Sequence, residues 1–223
     1  GLYSGNGTEY YANGRIRAQG SYAAGQLNGD GRLYSEDGNP VYSGGFVNGK
    51  YSGNGELYEN GTLKYVGGFV DGEMSGEGTE YSPKGGKTYS GGFSNGIYSG
   101  SGTLYGWNGD LRVEGQFEDG LANGVCSIFR STGEQIFCGN MTNGEISWYS
   151  YIHADKSTVQ AAFTAGTEER SAGGGTLLYF GELGCGFLFS DDGKADRMII
   201  TGTQRLYGAE TGKAPGKSAP EGF

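Results

Sequence analysis

Histidine is almost missing from this chain: His153 is the one histidine among 223 residues. A Ser-His-Asp or Cys-His site would have to be built around it. It falls at the expected end of a strand in the least regular third of the sequence, so catalysis is not expected there. Cysteine is scarce too. Cys126, Cys138 and Cys185 contain no Cys-x-x-Cys pair, and a lone histidine cannot complete a zinc set. Basic residues number 16 against 25 acidic ones, a net charge of −9. That balance argues against nucleic acid, whose binders draw most of their affinity from basic patches. It also disfavours direct electrostatic docking on membrane lipid. No apolar run is long enough for a membrane-spanning helix. With only 35% hydrophobic residues, a thick two-layer core is not expected. Acidic pairs for glycoside hydrolysis exist in number, but no feature singles out two of them. The chain reads as non-enzymatic, with no cofactor and no metal.

What is abundant is glycine, 48 residues, roughly three times the usual share. It is periodic. Gly20, Gly44, Gly67, Gly91, Gly115 and Gly139 are separated by 24, 23, 24, 24 and 24 residues. Two residues after each stands Tyr22, Phe46, Phe69, Phe93, Phe117 or Met141. Gly-x-Gly pairs keep the same step at Gly5/Gly7, Gly29/Gly31, Gly53/Gly55, Gly76/Gly78 and Gly100/Gly102. Three residues past each pair comes Tyr10, Tyr34, Tyr58, Tyr81 or Tyr105. A fixed period means one structural unit stacked many times. The aromatics in register with it separate the chain from glycine-rich disorder.

One unit, residues 41–61, has local logic. Tyr42, Gly44 and Phe46 alternate and so share one face of a strand. Asn48-Gly49 supplies the positive φ values of a tight hairpin turn. A second strand runs from Gly55 to Tyr58, and Asn60-Gly61 turns the chain again. The first turn returns at Asp71-Gly72, Asn95-Gly96, Asp119-Gly120 and Asn143-Gly144, the other at Asn13-Gly14, Asp37-Gly38 and Asn108-Gly109. Each unit is therefore two antiparallel strands, advancing the array by roughly 10 Å. This turn chemistry absorbs two look-alikes. Gly44-x4-Gly49-Lys50 resembles a shortened P-loop, but Tyr51 stands where Ser or Thr is needed. Asn6-Gly7-Thr8 and Asn60-Gly61-Thr62 match the glycosylation sequon as by-products of Asn-Gly steps.

The pattern Tyr42-x-Gly44-x-Phe46-x-Asn48-Gly49-Lys50-x-x-Gly53-x-Gly55-x-x-Tyr58-x-x-Gly61 resembles the MORN repeat nearly position by position, as do the units beginning at Tyr65 and Tyr89. Ala18 and Val113 begin weaker copies. The unit at Tyr10–Gly31 is similar to the second MORN variant of bacterial antitoxin-like proteins. The resemblance covers residues 2–144. It implies an all-β fold, an elongated single-layer twisted antiparallel sheet of tandem β-hairpins, acting as a scaffold. Where the family often carries a basic residue or histidine before the Gly-x-Gly pair, this chain has Asn28, Ser52, Ser75, Ser99 and Asn123. That departure weakens the lipid-headgroup binding suggested for parts of the family.

Beyond Gly144 the rhythm fades. Val159–Gly166 mirrors Val41–Gly49 one residue short, and Gly173-x-Gly175-x-x-Leu178-x-x-Gly181 follows the second-strand pattern. Asp191-Asp192-Gly193 reads as a turn, and Arg197–Thr201 and Thr203–Tyr207 as strands. The expected organisation is an array over 1–144, degenerate repeats or a β cap over 145–207, and a flexible tail over 208–223. A short helix within 154–165 is an alternative. Cys126 and Cys138 flank the Thr132-Gly133 turn, where a cross-strand disulfide is feasible. The other reading is two small apolar fillers.

The first-strand rings Tyr42, Phe46, Tyr65, Phe69, Tyr89, Phe93 and Phe117 all fall on one face. They are expected either to line a binding groove or to form the core of a thin fold. The function expected is a repeat scaffold for another protein or for self-association. A cell-surface glycan-binding module and an antitoxin-like inhibitor are the alternatives. The chain begins inside a repeat, at Leu2, and so reads as a fragment from which an upstream anchor or signal could have been removed. With the candidate disulfide and the Tyr/Asn/Gly-rich surface, that suggests an extracytoplasmic or cell-envelope setting in a bacterium, the cytoplasm being the other option.

Overall fold

The computed structural model describes residues 2–106, 111–164, 167–172, 175–183 and 185–200. Its strands are β1 (Gly5–Tyr10), β2 (Ile16–Ala23), β3 (Gln26–Tyr34), β4 (Pro40–Val47), β5 (Lys50–Glu59), β6 (Thr62–Val70), β7 (Glu73–Tyr81), β8 (Lys87–Ser94), β9 (Ile97–Tyr105), β10 (Leu111–Glu118), β11 (Leu121–Arg130), β12 (Gln135–Thr142) and β13 (Glu145–Ile146), then β14 (Thr167–Ala172), β15 (Gly175–Phe180), β16 (Cys185–Phe189) and β17 (Ala195–Ile200). A helix, α1 (Lys156–Ala162), and two 3-10 turns, Trp148–Tyr151 and Gly181–Leu183, complete the described elements. Strands β1 to β13 form one antiparallel sheet in chain order, and β14 to β17 form a second. The fold is all-β, as expected. The long sheet reaches Ile146, whereas the chain divides into compact units between Gly100 and Ser101.

In the first unit the glycine beat becomes one row. Gly7 pairs with Gly20, Gly20 with Gly31, Gly31 with Gly44, Gly44 with Gly55, Gly55 with Gly67, Gly67 with Gly78 and Gly78 with Gly91. The row is bare because rings lie over it. A Cβ built on Gly55 would run into the Tyr42 ring, and one on Gly78 into that of Tyr65. The β2–β3, β4–β5 and β6–β7 hairpins each carry a bulge between glycine pair and turn, so that Gly44 opposes Gly55 but Phe46 opposes Tyr51. Gly53 takes φ +71° inside that bulge, and the bulge carbonyl of Ser52 leaves no space for a Cβ on Gly45. One bulge thus explains both the Gly44-Gly45 doublet and the first glycine of the Gly-x-Gly pair.

The turns are of two kinds. Asn48 (φ 50°) and Gly49 (φ 78°) are both left-handed, the two-residue hairpin turn expected, and so are Asp71-Gly72, Asn95-Gly96 and Asn60-Gly61. The turn glycines also staple repeats together. Gly49 N–H donates to Leu27 O at 2.8 Å, Gly72 to Tyr51 O at 2.9 Å and Gly96 to Met74 O at 2.9 Å, each one repeat upstream. The turn at Ser35–Asn39 is wider, and within Asp37-Gly38 only the glycine is left-handed. Asn13-Gly14 behaves likewise. Asn108-Gly109 lies outside the described residues, as do Thr203–Tyr207 and the tail over 208–223.

In the second unit the aromatic packing continues by other means. Val159–Ala162, expected as a first strand, belong to α1, with Val159 and Ala162 buried. Ala161 and Ala162 stand where Gly44 and Gly45 stand in a repeat. Two Cβ atoms obstruct the bare row, and alanine favours a helix. Phe163, just past α1, packs on Phe137 at 5.0 Å between centroids, Phe180 at 4.8 Å, Tyr151 at 5.1 Å and Phe187 at 5.6 Å. The Asp191-Asp192-Gly193 turn forms as expected, with Gly193 at φ 77°.

Candidate functional site

The seven rings read as groove or core are core. Tyr42, Phe46, Tyr65, Phe69, Tyr89, Phe93 and Phe117 are all at most 4% exposed. In the first unit they fill the space over the glycine row. Tyr42 stacks flat on Tyr51 at 3.8 Å and meets Phe46 and Phe69 edge-on at 5.1 and 5.2 Å; Tyr89 stacks on Tyr98 at 3.8 Å. The hydroxyls of Tyr42, Tyr65 and Tyr89 donate to Gly45 O, Gly68 O and Gly92 O at 3.1, 3.1 and 3.2 Å. Burial pushes the Tyr51 and Tyr65 phenols up to about 12, and those of Tyr42, Tyr89 and Tyr98 further in the same direction. They are neutral packing groups at physiological pH. The expected groove is closed by the very side chains that were to line it.

The expected Cys126–Cys138 disulfide is also corrected: all three cysteines are free. Cys126 pairs with Gly139 and Cys138 with Ser127. The two cysteines are thus one residue out of register and point to opposite faces. Cys126 holds the place of a row glycine, between Gly115 and Gly139. It is a small buried filler whose thiol pKa burial raises; burial pushes the Cys185 thiol up to about 12.

With one face closed, the surface open to a partner in the first unit is the other face. A cross-strand row runs along it: Thr8, Gln19, Arg32, Ser43, Glu56, Val66, Thr79 and Ser90, each opposite the next. Beside it stand Tyr34, Tyr58 and Tyr81, one residue beyond the core-facing Leu33, Leu57 and Glu80, and each half-buried. Two adjoining depressions of about 220 and 430 Å³ open here. Arg32, Tyr34, Ser43, Glu56 and Tyr58 contribute to the smaller; Gln19, Asp30, Arg32 and Ser43 to the larger. The Tyr58 hydroxyl donates to Glu56 Oε2 at 2.5 Å, and that bond raises its pKa. The signal for these tyrosines was present in the sequence as the third member of the beat. Counting two residues on from row glycine Gly55 puts Leu57 on the core face and Tyr58 on the other.

Among the described residues, one charged side chain enters the core. Glu80 is buried, accepting hydrogen bonds from the Tyr98 hydroxyl and from Thr88 Oγ1 (3.2 Å). His153 is exposed at φ 65° on the way into α1, its backbone N–H donating to Ala195 O at 2.8 Å. Gly49-Lys50, the P-loop look-alike, spans the β4–β5 turn, with a strand following it.

The MORN repeat model matches the sequence six times, over residues 1–14, 19–39, 42–63, 65–87, 89–111 and 114–134. The chain belongs to the MORN-repeat family. Each match from residue 19 onward opens on a first strand, takes in the whole second strand and ends in the next turn or at the start of the next first strand, so in this chain one repeat is one hairpin with its covering rings. MORN repeats generally serve as scaffolds that engage proteins or membranes, and they form a non-catalytic repeat class. No curated protein matches the chain significantly.

Proposed function

We propose that this MORN protein is a non-catalytic scaffold that holds a partner protein, or a second copy of itself, against the open face of its sheet and its strand edges. The observation that carries the reading is the division of labour between faces. The rings of one face are consumed by packing, while the other keeps half-buried tyrosines beside a polar row. Such a face offers ring area at low conformational cost together with hydrogen-bonding groups, the composition of recognition surfaces. An end strand of a sheet adds unpaired backbone groups that another strand can use. Among the described residues no helix is long and apolar enough to cross a membrane, and none of the acid, cysteine and histidine side chains cluster as a metal site. The extracytoplasmic setting is part of the same proposal and draws on the Tyr/Asn/Gly-rich surface.

The test is to capture partners from the native host and map the contact by carbene footprinting. Protection of the Gln19–Arg32–Ser43–Glu56 row or of the β1 edge is expected. Protection confined to the second unit would overturn the reading. Fractionation of host cells, with the protein expected outside the cytoplasm, tests the setting.

A further inference from the structure

We propose that the depression between Tyr34 and Tyr58, with the larger one adjoining it at Arg32 and Ser43, forms a binding site for an extended, uncharged saccharide chain. The inference rests on the open face being the binding face and names a ligand chemistry for one part of it.

Three observations point to a sugar. The first is the walls. Tyr34 and Tyr58 both line the smaller depression, half-buried and so held in place with ring surface still accessible. A pyranose has an apolar face of C–H groups that packs on an aromatic ring, which suits half-exposed tyrosines better than it suits a closed core. The second is the floor. Gln19, Asp30, Arg32, Ser43 and Glu56 present amide, hydroxyl, guanidinium and carboxylate groups, so donors and acceptors alternate within a few residues. Hydroxyl groups, which both donate and accept, are the ligand groups that can use such a mixture. Arg32 contributes to both depressions and makes no ion pair with a described residue, so its donors are available. The lining carries two carboxylates against one guanidinium, which disfavours an anionic ligand.

The third observation is the step. Tyr34, Tyr58 and Tyr81 sit on β3, β5 and β7, two strands apart each time. At about 4.8 Å per strand the rings recur roughly every 10 Å, close to the length of two pyranose units in an extended chain. A chain lying across the strands would therefore place every second sugar near a ring. Strand twist of about 20–25° per step turns successive rings relative to one another. That favours a single soluble chain, which can follow the turn, over the flat face of a crystalline polysaccharide.

The experiment is calorimetric titration of the full chain with three uncharged β-1,4-linked probes: cellohexaose, xylohexaose and hexa-N-acetylchitohexaose. At least one is expected to saturate in the micromolar-to-millimolar range, with little change between low and high salt. Tyr34→Ala/Tyr58→Ala should weaken it about tenfold or more, while Tyr34→Phe/Tyr58→Phe keeps most of the affinity. Arg32→Gln, at an exposed position, should weaken it without moving the unfolding midpoint, so the test survives if the double alanine variant misfolds. Absence of saturable binding to all three probes at millimolar concentration overturns the inference. So does binding that both Arg32→Gln and the alanine pair leave unchanged. If the sugars fail while a captured protein still protects Tyr34 and Tyr58, the scaffold reading stands alone. If a sugar binds and no protein protects this face or the β1 edge, the scaffold reading is the one that falls.

Discussion

At the scale of single residues, the glycines of this protein are defined by what lies against them. Gly55 is bare because the Tyr42 ring occupies the position a Cβ would take. Gly55→Ala is therefore expected to cost about 1–3 kcal/mol through overpacking. Val47→Ala, at a position 51% exposed, should stay within about 0.5 kcal/mol. Urea unfolding of the two variants checks the contrast, and equal losses would argue against the ring-over-glycine packing. Glu80 offers a second case. It takes the place held by Leu33, Leu57 and Leu104 in neighbouring repeats, yet it is buried and accepts from Tyr98 and Thr88. Glu80→Leu removes the carboxylate that accepts from both Tyr98 and Thr88 and should destabilise by about 1–3 kcal/mol. Adding Tyr98→Phe removes one of the two hydroxyls that lose this carboxylate and should recover part of that loss. A double variant no more stable than the single one would show that the pair does not act as a unit. The residue identities here were legible: the beat, the rings and their common face followed from spacing alone. Whether the rings were groove or core was not, because that depends on the neighbouring repeat, whose rings cover them.

At the scale of elements, each hairpin is joined to the one before it through its turn. Asn48 sits at φ 50°, and Gly49 N–H reaches back to Leu27 O at 2.8 Å. A β-branched residue in the left-handed region costs about 1–2 kcal/mol, so Asn48→Val should lower stability by that amount, read from the urea midpoint. Asn48→Gly should cost little. Equal effects of the two would mean the turn's φ values are not what selects asparagine. Turn chemistry was readable because Asx-Gly has few alternatives. The Cys126–Cys138 pairing was misjudged for a reason at this scale. Flanking a turn brings two residues near each other, but the register decides the face, and here it pairs Cys126 with Gly139. The helix over Lys156–Ala162 shows the same limit. An alignment that tolerates alanine at a glycine place ignores the ring that needs the space.

At the scale of the whole molecule, the buried phenols tie stability to alkaline pH. The Tyr51 and Tyr65 pKa values are pushed up to about 12 in the folded protein, while in the unfolded chain they return to the ordinary value near 10. Below pH of about 10 the phenols are neutral in both states and their burial contributes fully. As pH rises from about 10 toward 12 the unfolded chain ionises while the folded one does not, so stability is lost. The urea midpoint should be level from about pH 7 to 9 and fall above 10. Phenolate absorbance of the core should appear together with the loss of native circular dichroism. A midpoint that stays level through pH 11 would contradict the burial of these hydroxyls.

By itself, the sequence determined the repeat, its two strands, its tight turns and the all-β class, because each follows from chemistry within about 24 residues: a glycine where φ is positive, an alternating ring, an Asx-Gly step. Only the tertiary structure decided which face was spent. Tyr42 stacks on Tyr51 within its own hairpin, the next hairpin adds Phe69 over it, and Tyr34 and Tyr58 are left half open on the other side. A single unit packs its rings on one another but does not close them off without the ring of the next, so the choice between core and recognition surface belongs to the array.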